Sequence, residues 1–319
     1  VLGIADLQES DRSQLMQGIA VPQMGAEDVV VDGHGQVWTG TEDGTIFRIT
    51  PDGRQVEAIA NTSGRPLGLE LLGDDILICD AHRGLLVLDP KSGRISQLLS
   101  EIDGQSMRFC NNAAVASSGD IWFSDSSLVH PIERWKNDLV EATRTGRLCR
   151  LRGGEVEVVL DGLEFANGVA LSVDEQHVVV AETGGRCLVR ISASPDQQGM
   201  EREVFVSDLP AYPDNIARGS DGLIWVALAS PTDPVVELLK ERAPLALRRV
   251  VTKMPDWMQP APKRTVRAVA YDSHGVLVHD VNLDASAFHM VTGVREHNGE
   301  LWLGSLHEAA IARVKLSNV

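Results

Sequence analysis

The segment MGAEDVVVDGHGQVWTG (residues 24–40) places Glu27 eleven residues before Trp38, and the chain repeats this plan three more times. The copies read CNNAAVASSGDIWFSD (110–125), FANGVALSVDEQHVVVAE (165–182) and YPDNIARGSDGLIWVAL (212–228). With Trp122, Val179 and Trp225 taken as equivalents of Trp38, the side chains at the position of Glu27 are those of Asn111, Asn167 and Asp214. Asn167 lies twelve residues upstream because its turn is one residue longer.

Two weaker copies complete the repeat. They read GRPLGLELLGDDILICD (64–80) and MVTGVREHNGELWLGSL (290–306), and their matching positions are Pro66 and Val291. Four of the six units therefore present an oxygen-bearing side chain and two an apolar one. A purely structural repeat needs no such asymmetry at a position facing its own core, so the pattern indicates a functional site.

Each unit contains short apolar runs separated by turn signals such as DGHG, EDG and PDG, which predicts a four-stranded antiparallel meander. Repeated meanders with regular turn spacing are typical of propeller blades. We therefore predict an all-β fold, a six-bladed β-propeller with short helical insertions on one face, in which residues 1–319 form a single domain. Two packed sandwiches are the competing architecture, but sandwiches do not return a polar residue to the same place in successive units.

A closed ring needs a link between its first and last blades. We expect a short strand near residues 18–21 to join the C-terminal sheet and complete the last blade. Two excursions, at 128–145 and 230–260, should cover the channel end that holds the polar side chains. In the second, the spacing of Val236, Leu239 and Leu247 indicates an amphipathic helix, which Pro244 breaks.

Composition limits the partners. The formal charge is -16 and the pI near 4.9, so nucleic acid and anionic membranes would be repelled. A cation is a natural partner, and the alternative is that the net acidity only keeps the protein in solution. No apolar run approaches the roughly 18 residues of a membrane-spanning segment. The four cysteines, Cys79, Cys110, Cys149 and Cys187, lack zinc-site spacing and are expected to be buried core residues. The chain starts at Val1 without a basic-then-apolar leader, which favours the cytoplasm, with a removed signal peptide as the alternative.

Inner-strand residues at equivalent positions converge on the axis of a propeller, so Glu27, Asn111, Asn167 and Asp214 should meet there. Two carboxylates and two amide oxygens are a ligand set that suits Ca²⁺, with Mg²⁺ or Mn²⁺ as alternatives. The other interpretation is that these side chains only bridge strands around a water-filled channel. Asn112 and Asn215 follow two of them directly, and strand alternation should turn these away from the axis.

Other polar residues have simpler expected roles. Asp32, Asp52 and Asp221 occupy DG turns and should be structural. Among the nine histidines, His130 and His289 are the best-placed candidates for a general acid near the channel mouth. Ser124, Ser126 and Ser127 lie beside Asp125, but the GxSxG elbow of a serine hydrolase is absent from the sequence.

Over nearly its whole length the chain resembles the calcium-dependent six-bladed propellers that include regucalcin/gluconolactonase, paraoxonase-type lactonases and strictosidine synthase-like proteins. The stretches FANGVALSVDE, YPDNIARGSDGLIWVAL and VREHNGELWLGSL are most similar to the strictosidine synthase-like branch. The resemblance implies that Glu27, Asn167 and Asp214 hold a catalytic metal, with Asn111 as a further ligand or substrate contact. It also implies that Asp214 serves as proton acceptor for water.

The function expected from this resemblance is calcium-dependent hydrolysis of lactones or related esters. Arg108 resembles a substrate-binding arginine of gluconolactonases, although Cys110 adds a residue between it and Asn111. A Pictet–Spengler-type condensing enzyme is the alternative, but Thr292 and Gly293 stand where the condensing synthase has its glutamate. A non-catalytic scaffold with a structural metal is the third reading. The specific ester and the oligomeric state stay open.

Overall fold

The computed structural model describes residues 16–193 and 202–316, so the ends of the predicted 1–319 domain lie outside the described residues. It contains six four-stranded antiparallel sheets, as the repeat predicted, and a small hairpin of β10 (Glu101–Ile102) and β11 (Gln105–Ser106). The six-bladed β-propeller is confirmed.

The blades follow the chain in order, each with its innermost strand first. Their strands are β2–β5 (Val29–Val31, Val37–Gly40, Thr45–Ile49, Val56–Asn61), β6–β9 (Pro66–Leu72, Asp75–Asp80, Gly84–Leu88, Ile95–Leu99), β12–β15 (Cys110–Val115, Ile121–Asp125, Gly146–Arg152, Glu155–Leu163), β16–β19 (Ala166–Leu171, His177–Glu182, Cys187–Ser192, Glu203–Val206), β20–β23 (Ala211–Arg218, Ile224–Pro231, Val266–Tyr271, Leu277–Leu283) and β24–β26 (Val291–His297, Glu300–Ser305, Ala310–Lys315).

An N-terminal strand closes the ring. Strand β1 (Met16–Ala20) pairs antiparallel with β26, from Met16 opposite Val314 to Ala20 opposite Ala310. It is the outermost strand of the last blade, so blade 6 is built from both ends of the chain. Ile19 is buried in this strand while Gln17 is exposed, which anchors the closure through one apolar side chain. The predicted closing strand is thus confirmed, slightly earlier in the chain than expected.

The turns that follow the innermost strands use the aspartates that the sequence indicated. Asp32 accepts hydrogen bonds from the backbone N–H groups of His34 and Gln36 and from Trp38 Nε1, at 2.8–2.9 Å. Asp221 accepts one from Trp225 Nε1 at 3.1 Å. Because each aspartate ties a turn to a buried tryptophan, these residues are structural, as predicted.

Apolar clusters fill the six interfaces between neighbouring blades. The tryptophans of the repeat lie in them, and Trp38, Trp122, Trp225 and Trp302 are at most 2 % exposed. Cys79, Cys110 and Cys149 are buried as free thiols and Cys187 is half-buried, in line with their predicted core role. The blades therefore hold one another through side-chain packing and leave the polar axis to other residues.

The two excursions are largely helical. The first contains a 3₁₀ turn (Ile132–Arg134) and α1 (Trp135–Glu141), and the second contains α2 (Pro234–Arg242), α3 (Leu245–Val251) and a 3₁₀ turn (Asp256–Met258). Pro244 separates α2 from α3, as predicted. Val236 is buried, but Leu247 is 49 % exposed, so the expectation that Leu247 shares the packed face is wrong. Arg248 takes the inward place, where its Nη1 donates to the Glu141 carbonyl.

Candidate metal centre

A β-bulge interrupts the innermost strand of blades 3, 4 and 5 at the predicted ligand position. In blade 3, for example, Asn111 and Asn112 together lie opposite the single residue Ser124, between the pairs Cys110–Asp125 and Ala113–Phe123. A bulge bends the strand and redirects its side chains. The repeated irregularity therefore turns Asn111, Asn167 and Asp214 from strand residues into site residues.

The four predicted ligands, Glu27, Asn111, Asn167 and Asp214, line one cavity and are here called the ligand ring. All four are at most 9 % exposed. The two excursions also line this cavity, so they cover the end of the channel that the sequence predicted. The cavity volume is about 80 Å³, and since one water needs roughly 10–15 Å³ by the same measure, it has room for several waters or one small ring.

Neighbouring hydroxyl groups fix the two ring amides. Ser126 Oγ donates to the Ala166 carbonyl at 2.6 Å and accepts from Asn111 Nδ2 at 2.9 Å. In the next blade, Thr183 Oγ1 donates to the Pro213 carbonyl at 2.7 Å and accepts from Asn167 Nδ2 at 3.1 Å. A hydroxyl has one proton, and here a carbonyl takes it, so each amide must turn its NH₂ toward the hydroxyl.

The same geometry leaves the amide oxygens free. Within the described residues, Asn111 Oδ1, Asn167 Oδ1 and Glu27 Oε2 are buried and have no hydrogen-bond partner. Buried polar atoms are rarely left without a partner, because the desolvation cost is about 1–3 kcal/mol each. Three such oxygens from three blades, lining one cavity, fit a ligand that supplies positive charge.

The carboxylates of the ring also lack compensation. Burial raises the pKa of Glu27 to about 8, against the lowering effect of the Arg65 guanidinium, whose Nη2 lies 3.7 Å from Glu27 Oε2. Burial likewise raises the pKa of Asp214 to about 7, although a hydrogen bond from Asn167 lowers it. Each carboxylate therefore favours a proton, or an equivalent cation, when it lies in this site.

The remaining two blades correct the sequence alignment. In each blade, we counted back along the inner strand from the residue that pairs with the equivalent of Trp38. By this count the positions equivalent to Asn111 are Leu67 in blade 2 and Thr292 in blade 6, and not Pro66 and Val291. The turns after these inner strands are one residue shorter, which shifted the expected match. Thr292 Oγ1 donates to the Glu27 carbonyl at 3.0 Å, so its hydroxyl supports the ring.

A second row of polar residues lies one position farther along the inner strands, and only part of it was expected. Asp28 Oδ2 accepts from the Leu69 N–H at 2.9 Å, and Asn112 Oδ1 accepts from the Val169 N–H at 2.9 Å. These contacts join blades 1 to 2 and 3 to 4, so both side chains hold neighbouring inner strands together. Burial raises the pKa of Asp28 to about 6, and its role at the axis was missed.

Asn215 departs from this arrangement. It is 1 % exposed, and neither Nδ2 nor Oδ1 has a hydrogen-bond partner among the described residues. It follows Asp214 in the same bulge, so strand alternation does not decide where it points. Asn215 does not line the cavity of the ligand ring, so its amide is a buried polar group beside the ring and not one of its members.

Glycines in the alternate blades make room for the second row. A Cβ atom on Gly68, Gly168 or Gly293 would lie within 2.8 Å of Asn112, Asn215 or Asp28, respectively. Such distances are shorter than any real Cβ contact, so only glycine lets adjacent inner strands approach this closely. Polar residues and glycines thus alternate around the axis.

The other candidates lie away from the cavity, and His130 and His289 do not line it. His130 Nε2 lies 3.3 Å from Glu141 Oε2, and His289 Nδ1 contacts Glu308. Arg108 is exposed and also does not line the cavity. Neither histidine therefore lies in the cavity wall, and partners on the excursion and on the last blade hold them.

The donor set has the composition of a hard-cation site. The described residues contain no group of three or more His, Cys, Asp and Glu side chains that could hold a metal. The ligand ring has two carboxylates, and its other oxygens come from amides, a mixture that Ca²⁺ accepts in six- to eight-fold coordination and that does not suit zinc. The free oxygens of Asn111 and Asn167, with the carboxylates of Glu27 and Asp214, have the chemistry that would suit a Ca²⁺ or a similar ion.

Comparison with known proteins identifies the family. Residues 42–238 match the SMP-30/Gluconolactonase/LRE-like region, and residues 16–49 match the N-terminal region of strictosidine synthase-like proteins. Protein STRICTOSIDINE SYNTHASE-LIKE 6 of Arabidopsis thaliana is 31% identical over 296 residues, which cover 88% of this chain and 76% of the plant protein. Adipocyte plasma membrane-associated protein of Mus musculus is 31% identical over 326 residues, covering 93% and 77%.

Solved structures share the fold at low sequence identity. A gluconolactonase from Xanthomonas campestris superposes with a TM-score of 0.67 at 15% identity, covering 94% of this chain and 89% of that one. The calcium-binding protein regucalcin from Agrobacterium tumefaciens gives a TM-score of 0.65 at 14% identity, covering 92% and 90%. In the described part of the chain, every helix is too short or too polar to cross a membrane. The chain belongs to the SMP-30/gluconolactonase/LRE-like family of six-bladed propellers and is related to its strictosidine synthase-like members.

Proposed function

We propose that this protein is a calcium-dependent hydrolase of carboxylic esters, with lactones as the preferred form. The observation that carries the proposal is the set of buried oxygens without partners on Glu27, Asn111 and Asn167, which line one cavity together with Asp214. The family supports a lactonase-type propeller. A bound Ca²⁺ would supply Lewis-acid polarisation of the ester carbonyl and stabilise the charge that develops on its oxygen.

The residues of the ring divide the remaining work. Asn111 and Asn167 present fixed amide oxygens, because Ser126 and Thr183 hold their NH₂ groups, so the coordination sphere needs little rearrangement. Glu27 contributes the second carboxylate, and Arg65 beside it limits the charge repulsion at the axis. A preorganised set of this kind holds the substrate carbonyl in one orientation.

Asp214 is the proposed proton acceptor. It lines the cavity and is 9 % exposed, which makes it the most accessible carboxylate of the ring. A water beside it can transfer a proton to the carboxylate while the oxygen attacks the acyl carbon, and the proton then passes to the leaving alkoxide. In a lactone this alkoxide stays in the same molecule, and the product is a hydroxy acid.

The alternative functions have weaker support. A Pictet–Spengler-type condensation needs an acid where this chain has Thr292 and Gly293, and the Thr292 hydroxyl already donates to a backbone carbonyl. A scaffold with a structural metal predicts the same ligand ring without turnover. Hydrolysis itself is therefore the discriminating measurement.

The test is a screen of aliphatic, aromatic and sugar lactones with Ca²⁺ and with EDTA, run on the unmodified protein, Asp214→Asn and Glu27→Gln. We expect calcium-dependent turnover that falls at least about a hundredfold in Asp214→Asn, as for loss of a positioned acid–base group. Asp174→Asn is the matched control, because Asp174 lies in an exposed turn. Full activity in Asp214→Asn, or no turnover across the panel, would exclude the proposed hydrolase.

A further inference from the structure

The cavity above the ligand ring has walls of apolar side chains. Phe109 and Phe165 meet edge-to-face with ring centroids 5.2 Å apart, and Leu139 of α1 packs against them in one cluster. Val236 of α2 lines another part of the wall and is 8 % exposed. A ligand that reaches the ring must therefore exchange water for hydrocarbon contacts around most of its body.

The hydroxyl groups in the cavity wall already form hydrogen bonds within the protein. The Tyr212 hydroxyl donates to Glu237 Oε1 at 2.9 Å and accepts from the Asp233 N–H at 3.2 Å. Ser230 Oγ donates to the Pro231 carbonyl at 3.1 Å and accepts from the Lys263 N–H at 3.0 Å. These bonds hold the second excursion against the blades and leave little capacity for a ligand.

Two further polar groups line the wall. The Asp233 carboxylate caps α2 by accepting from the Val235 and Val236 N–H groups. The Lys136 ammonium lies 5.7 Å from the centre of the Trp135 ring, so it and Asp233 are the few wall groups with capacity left for a ligand hydroxyl. A ligand covered with hydroxyls would lose its bonds to water here and regain few of them.

This inference rests on the proposed function. We propose that the site selects compact esters with an apolar body, such as small unsubstituted lactones, over polyhydroxylated sugar lactones. The ligand ring recognises the one polar group that every lactone has, its carbonyl. The wall then discriminates by the rest of the molecule, because each hydroxyl without a partner lowers affinity and transition-state binding. The substrate class is thus set by the excursions of blades 3 and 5.

The first experiment compares δ-valerolactone with glucono-δ-lactone, which have the same six-membered ring and differ in hydroxyl and hydroxymethyl substituents. After subtraction of spontaneous hydrolysis, we expect kcat/KM to be at least about tenfold higher for δ-valerolactone, the factor that one unpaired hydroxyl produces. Equal or better hydrolysis of the sugar lactone would overturn the substrate assignment while leaving the hydrolase intact.

Adjacent valines on α2 provide a matched pair of variants. Val236→Thr adds a hydroxyl to the wall, whereas Val235→Thr adds one to a side chain that is 56 % exposed. We expect Val236→Thr to reduce kcat/KM for δ-valerolactone about three- to tenfold through KM, and Val235→Thr to change it less than about twofold. Ala229→Ser tests the same effect at another wall position. Equal effects of the Val235 and Val236 variants would refute the proposal.

A binding measurement separates this inference from the proposed function. δ-Valerolactam and gluconolactam, which resist hydrolysis, are compared by ligand-observed NMR in the presence of Ca²⁺. Preferential binding of δ-valerolactam supports an apolar site even if no ester is hydrolysed, in which case only the hydrolase fails. Preferential binding of the sugar lactam, or no binding of either, would refute the apolar substrate class.

Discussion

Removing the cation should destabilise the protein by an amount that the linkage relation gives directly. Saturation at 100 times the dissociation constant stabilises a folded state by about 2.7 kcal/mol. Unfolding entropy of about 2.1 cal/mol/K per residue, for 319 residues, converts this into a decrease in Tm of about 4 °C on transfer to EDTA. The physical source is the ligand ring, in which Glu27 and Asp214 are buried without a full set of partners once the ion has left.

The assay is thermal unfolding by circular dichroism in EDTA and across a calcium titration. The double variant Glu27→Gln/Asp214→Asn should lose the calcium-dependent increase, because its ring keeps the shape but not the charge. The surface variant Asp174→Asn should keep the full increase. A calcium-independent Tm in the unmodified protein, or an unchanged increase in the double variant, would show that the ligand ring does not bind the ion.

Three further outcomes test the site and the fold. In EDTA, the free energy of unfolding should fall as the pH rises from about 5 to about 8, relative to the double variant. Burial raises the pKa values of Glu27 and Asp214 to about 8 and about 7, so the folded state holds more protons than the unfolded state in this range. Urea titrations that show a rise in the free energy of unfolding would contradict this. Gly168→Ala places a Cβ 2.1 Å from Ile216 N and should cost about 3 kcal/mol or more, whereas Gly33→Ala, with no atom within 4 Å, should stay within about 0.5 kcal/mol. Ile19→Ala should cost about 2–4 kcal/mol by weakening the blade closure, against a negligible effect of Gln17→Ala, with both read from urea midpoints.

The sequence predicted the repeat, the blade count and the closing strand because these depend on local signals. Tight turns and short apolar strands recur in each copy, a tryptophan stands at the same place in four of the six, and a closed ring converts the copies into six blades. Glu27, Asn111, Asn167 and Asp214 could be named for the same reason, since equivalent residues of a symmetric fold meet at its axis. The structure brings all four to one cavity.

Register and bulges limited the sequence argument. A turn shorter by one residue moved the sixth-blade position from Val291 to Thr292, and a bulge sets Asp214 and Asn215 together opposite a single residue of the next strand. Sequence spacing cannot measure either, because hydrogen-bond pairing between strands decides which residue lies opposite which. Arg65 beside Glu27 was missed for a related reason, since no repeat position identifies it.

The chain by itself therefore determined what its local patterns encode: six blades, their closure, and the inner-strand positions of Glu27, Asn111, Asn167 and Asp214. Tertiary structure alone decided how those oxygens are presented. Ser126 and Thr183 lie at the ends of the neighbouring strands and orient the amides of Asn111 and Asn167. The two excursions, which are distant in sequence, contact each other through Glu141 and Arg248. Both effects arise from contacts between residues far apart in the chain, which no local pattern records.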